Sequence, residues 1–133
     1  MHEPIIKTLK PTSEVQETIL KYSESPPWFI EISLDVLPTK RYEGSDLFEC
    51  LCNLRKQLDK LGNKILCNGS RIDTHPSRMS RDMGGARKVY QLTMGQQGRL
   101  ENLVDIFAEA PAEKVGTVDE QKSFYSRLLD SLV

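Results

Sequence analysis

The sequence predicts an α+β protein, a two-layer arrangement with a mixed sheet of about four strands and two main helices on one face. Three stretches carry that prediction. Residues 28–37, WFIEISLDVL, alternate apolar and polar side chains in the manner of a half-covered strand. Residues 45–62, SDLFECLCNLRKQLDKLG, place Leu47, Leu51, Leu54, Leu58 and Leu61 at spacings of four and three, a single helical stripe. Residues 117–133, TVDEQKSFYSRLLDSLV, open with a T-x-x-E capping box at Thr117 and Glu120.

In chain order, residues 1–10 read as a flexible arm. PTSEVQETILKY (11–22) reads as a short helix capped by Ser13 with Gln16 completing the box, although Val15, Glu17 and Ile19 also alternate as a strand would. SESPP (23–27) interrupts the chain, and the strand at 28–37 follows, with Trp28, Ile30, Ile32, Leu34 and Val36 on its apolar face. Ser45 caps the first main helix and Gly62 ends it. NKILCNG (63–69) reads as a second strand, and strand–helix–strand in this order suggests a right-handed parallel crossover. KVYQLTM (88–94) is a third strand with Tyr90, Leu92 and Met94 on one face, hairpin-paired with LVDIFAEA (103–110). In the last helix Val118, Phe124 or Tyr125, Leu128 and Leu132 form the buried stripe. The predicted core is Trp28, Ile30, Ile32, Leu34, Leu51, Leu54, Leu58, Tyr90, Leu92, Ile106, Phe124 and Leu128.

The 133 residues suit one domain spanning 1–133, and 38% hydrophobic with 28% charged residues is a folding composition. A net charge of −1 argues against a general nucleic-acid or membrane-surface protein. Cys50, Cys52 and Cys67 include no CxxC pair, and Cys50 and Cys52 point apart on one helix, so they read as small apolar residues in a reducing compartment. With His2 and His75 the only histidines, no metal site and no cofactor is assigned. The N-terminal residues lack a signal-peptide apolar run, and no stretch is long enough to span a membrane, so the expected location is the cytoplasm.

Residues 69–86 form an eighteen-residue stretch with no clear period, and long irregular segments in small domains are often functional. Charge concentrates there: residues 69–88 carry +3, leaving −4 on the remainder. Arg71, Asp73, His75, Arg78, Arg81 and Arg87 are therefore the candidate ligand- or partner-binding residues, because the arginine fork suits carboxylate and phosphate. Pro76 can begin a helical turn that puts Arg78 and Arg81 on one side as an anion-facing pair, with Met79 and Met83 anchoring the turn to the core. The competing reading has the arginines paired within the chain, to Asp73, Asp82, Glu31 or Asp35. Asp73, His75 and Ser77 could share one face of an extended segment, but a triad is defined by geometry, and Pro76 argues against a pre-organised base. There is no GxSxG, HExxH, Walker A or Rossmann motif, so no catalytic residue is assigned.

ILCNGSRIDTHPSRMSRDMGGARKVYQLTMG, with PPWFIEISLD before it and VDIF after it, resembles a group of small uncharacterised bacterial proteins. The resemblance covers roughly residues 26–133 and rests on Asn68, Gly69, Arg71, Asp73, Pro76, Ser77, Met79, Ser80, Arg81, Met83 and Gly84. It implies no activity. Immunity proteins of bacterial toxin systems are similar in size and class. The leading expectation is a non-enzymatic bacterial binding protein, of immunity type or accessory to a toxin or effector, with another protein as partner. The alternative is a binding protein or enzyme for a small anion, phosphate or carboxylate, using the 71–87 loop. Nucleic acid is disfavoured, because one +3 segment offers few phosphate contacts and lacks interleaved aromatics, and no membrane partner is expected.

Overall fold

A computed structural model describes residues 3–133, the side chain of residue 100 excepted. Four strands form an antiparallel meander: β1 (Ile5–Leu9), β2 (Val15–Tyr22), β3 (Trp28–Leu34) and β4 (Leu37–Gly44). The chain then crosses in helix α1 (Leu47–Lys60) and returns as the two-residue β5 (Lys64–Ile65), which pairs antiparallel with β1. The strand order is β4-β3-β2-β1-β5. A second, three-stranded antiparallel sheet contains β6 (Thr74–His75), β7 (Lys88–Gln91) and β8 (Leu103–Asp105) in that order. A short helix α2 (Arg78–Gly84) lies between β6 and β7, and helix α3 (Val118–Ser131) closes the chain.

The α+β class is as read from the sequence, with more strands than foreseen. The core forms where α1 covers one face of the large sheet. Leu20 pairs with Ile32, and Ile30 lies between Tyr22 and Tyr42, so buried side chains line up across three strands. Leu47, Leu51, Leu54 and Leu58 of α1 are at most 1% exposed against them. α3 packs on α1 and β6 rather than on the large sheet. Of the predicted core, Ile30, Ile32, Leu34, Leu51, Leu54, Leu58, Ile106 and Leu128 are buried, while Trp28, Tyr90, Leu92 and Phe124 are half-buried.

Several elements differ from what the sequence predicts. Residues 5–9 of the expected arm are an interior strand: β1 has neighbours on both edges, and Ile6 and Thr8 are buried (residues 1 and 2 lie outside the described chain). The expected helix at 11–22 is a tight turn followed by β2, with Ser13 at φ +71° in that turn. The strand at 28–37 stops at Leu34, and Val36 sits exposed in the hairpin to β4, a strand the sequence reading does not assign. The parallel crossover is absent, because the chain leaving α1 meets the edge of β1, where it runs antiparallel; every pairing in both sheets is antiparallel. The last two strands are shorter than predicted, and β7 buries Val89 rather than Tyr90, Leu92 and Met94. Asp46, not Ser45, caps α1, accepting from the Glu49 amide at 2.7 Å. The Thr117–Glu120 capping box forms as read.

Candidate functional site

The stretch 68–86 is a chain of short, firmly tied elements. A single 3₁₀ turn at Asn68–Ser70 passes so close to α1 that a Cβ on Gly69 would lie 2.5 Å from Leu51 and 2.6 Å from Ile106. Its carbonyls need donors, since a buried backbone oxygen without one is destabilising. Two buried side chains supply them. Arg55 donates from Nη1 to the Gly69 carbonyl at 3.2 Å and to Gln121 Oε1 at 2.6 Å, and from Nη2 to the Gly116 carbonyl at 3.1 Å. Gln121 donates from Nε2 to the carbonyls of Gly69 at 2.9 Å and Arg71 at 2.8 Å. α1, α3 and the segment are thereby joined by one polar network. Arg71 closes on Asp73 through two parallel bonds of 2.7 and 2.8 Å.

Pro76 is buried and Ser77 caps α2, accepting from the Ser80 amide at 3.0 Å. The helix ends at Gly85, whose φ of +63° and contact with Trp28 leave no room for a Cβ: one would stand 2.4 Å from the indole. The Gly85 carbonyl accepts from the Leu47 amide at 2.7 Å, tying the end of α2 to the start of α1. The second tie is Arg81, whose Nη1 donates to Asp46 Oδ2 at 2.7 Å. Asp46 is 2% exposed, so one buried carboxylate caps α1 with one oxygen and holds α2 with the other.

The predicted division of labour in α2 is reversed. Met79 and Met83 do not anchor the turn; they are 71% and 82% exposed, on the side away from the core. Arg81 does the anchoring. Arg78 is exposed and forms no ion pair among the described residues. The two arginines that were to act together therefore differ in environment: one faces solvent and the other is tied to a buried carboxylate.

Beneath α2 lies a cleft of about 340 Å³ between α1, α3 and β6. His75 stacks on Tyr125, ring centroids 3.6 Å apart and planes 5° from parallel, and Phe48 meets the imidazole at 5.6 Å. The imidazole Nδ1 lies 2.9 Å from the Pro76 carbonyl, which can only accept, so Nδ1 carries a proton. Burial is the main cause that lowers the His75 pKa to about 4, with Arg81 acting in the same direction and the Pro76 carbonyl and Asp46 against it. The ring is neutral at pH 7, and its Nε2 lone pair has no protein partner among the described residues. Cys52 lines the same cleft, and burial raises its thiol pKa, so it is a poor nucleophile.

Of the six candidate residues, His75 and Arg81 meet at this cleft. Arg71 and Asp73 pair with each other, Arg87 donates to Asp105 at 2.9 Å with its guanidinium over Tyr22, and Arg78 stands apart. Sequence reasoning missed Asp46 as a tether, Phe48 and Gln121, and placed Tyr125 only as an alternative to Phe124 on the buried stripe. The last two had a legible signal: Val118, Gln121, Tyr125 and Leu128 follow the 3–4–3 spacing of the inward stripe, and a glutamine on such a stripe needs buried partners. Among the described residues no group of three or more His, Cys, Asp or Glu could hold a metal ion, and no helix is long and apolar enough to cross a membrane.

The fold and site define an antiparallel α+β protein with a tethered, methionine-presenting helix above a neutral-histidine cleft. No protein-family model matches the chain, and no curated protein matches it.

Proposed function

We propose that this is a non-enzymatic protein-binding module, of the immunity or accessory type associated with bacterial toxins and effectors, and that α2 is its contact element. One observation carries the reading: Met79 and Met83, four residues apart on a helix fixed at both ends, are 71% and 82% exposed. Methionine is flexible and polarisable and suits contact with an irregular apolar groove. Presenting two of them on a rigid turn reduces the ordering entropy that a mobile loop would lose on binding. Arg78 beside them adds a cation for a carboxylate at the rim of the partner's groove.

The test is affinity capture from cells that express the protein, using wild type and the double variant Met79→Asp/Met83→Asp, beside a thermal-shift screen of metabolites. The double variant should melt as wild type does, because exposed positions tolerate change within about 0.5 kcal/mol each. It should lose the captured protein. Capture that survives both aspartates, or strong metabolite shifts with no protein partner, would overturn the reading.

A further inference from the structure

We propose that the cleft between α1, α3 and β6 binds a small planar anion that carries a hydrogen-bond donor, of the hydroxyaryl carboxylate class. The site lies apart from the exposed face of α2 and does not depend on that face binding a protein. Its volume, about 340 Å³, is at the small end of ligand pockets. Three features set the ligand chemistry. The walls supplied by Phe48, Tyr125 and Leu129 are apolar and largely aromatic, which favours a flat unsaturated body. The imidazole of His75 is fixed by stacking on Tyr125 and by its Nδ1–H bond to Pro76, which leaves Nε2 as a pure acceptor. A ligand seated there needs an O–H or N–H to meet it, because a desolvated acceptor without a donor is destabilising. Finally, Lys56 and Lys122 stand on facing helices at the rim, with no ion pair among the described residues. Arg81 is already neutralised by Asp46, and the lining carboxylate, Glu49, accepts from the backbone amide and hydroxyl of Ser45 and offsets one lysine, which leaves one positive charge over. The rim is therefore cationic, and the end of the ligand away from His75 is anionic.

Para-hydroxybenzoate is the probe, with para-methoxybenzoate lacking the donor and para-hydroxybenzamide lacking the charge. The readout is the imidazole nitrogen resonances of His75 by NMR. Para-hydroxybenzoate should shift the Nε2 resonance and saturate in the millimolar range or tighter, and each control should bind about tenfold more weakly. Ser126→Trp, at an exposed position on the cleft wall, should abolish the shift with the fold intact, whereas Met79→Asp/Met83→Asp should leave it unchanged. Three results would overturn the proposal: no shift with para-hydroxybenzoate, equal binding of either control, or binding that persists in Ser126→Trp.

Discussion

Arg81 of α2 donates to Asp46 at the start of α1 across 2.7 Å, and that carboxylate is almost wholly buried. A pair of this kind gains little over two apolar residues of the same shape, but breaking it is costly, because the remaining charge is left inside without its partner. The pair also fixes where α2 sits.

Arg81 and Arg78 should therefore part company on mutation. Arg81→Ala should destabilise by about 2–4 kcal/mol, moderated because Asp46 keeps its bond from Glu49. Arg78→Ala, at an exposed position, should stay within about 0.5 kcal/mol. Urea unfolding of Arg78→Ala, Arg81→Ala, Asp46→Asn and Asp46→Asn/Arg81→Ala checks this, and the double variant should lose less than the sum of Asp46→Asn and Arg81→Ala.

The two neighbouring glycines give a second contrast. Gly85→Ala places a Cβ against Trp28 at positive φ and should lose about 2–4 kcal/mol, combining the conformational strain with the clash. Gly84→Ala meets nothing within 4 Å on a helical residue, and should be neutral or stabilise by up to about 1 kcal/mol. Thermal unfolding of the pair would separate a requirement for glycine from a mere preference.

How much of this was legible in sequence depends on how local the determining contacts are. α1 and α3 were readable because a leucine stripe and a capping box lie within the helices themselves. β4 was not, because LPTKRYEG is a polar edge strand whose only fully covered side chain is Tyr42. β1 offers two buried positions, and one of them is Thr8, so it has almost no apolar alternation to read. The site was legible as a segment but not as a geometry. His75 could be singled out, yet Tyr125, its stacking partner, comes from another element far along the chain. The exchange of roles between methionines and arginines followed from Asp46, a residue that reads in sequence only as a favourable charge near a helix start.

Gln121 is the hub whose loss should be felt furthest. Gln121→Leu leaves the Gly69 and Arg71 carbonyls without their amide donor and Arg55 without its closest acceptor. The Gly69 carbonyl keeps Arg55 and the Arg71 carbonyl keeps the Thr74 hydroxyl at 3.1 Å, so the network is weakened but not emptied and the loss should be about 1–3 kcal/mol. Amide exchange should accelerate first across residues 68–75, ahead of the large sheet.

Acid should weaken the fold through His75. Its pKa is about 4 in the folded chain against an ordinary 6.5, so below pH 6.5 the unfolded chain takes up a proton that the folded one refuses. This histidine's contribution is complete above pH 6.5, falls as pH drops toward about 4, and changes no further below that. For a ring with one open edge the loss is on the order of 2 kcal/mol. His75→Gln should flatten the dependence in that window, as read by urea midpoints across the pH series.

Peroxide footprinting with peptide mass spectrometry, on the free protein and on the captured complex, reads whether arginine holds α2 and methionine presents it. Met79 and Met83 should form sulfoxides in the free protein at close to the rate of the urea-unfolded chain, with Met94, at 39% exposure, slower. In the complex the first two should be protected and Met94 unchanged. Slow oxidation of Met79 and Met83 in the free protein, or the same rate with and without the partner, would contradict the account.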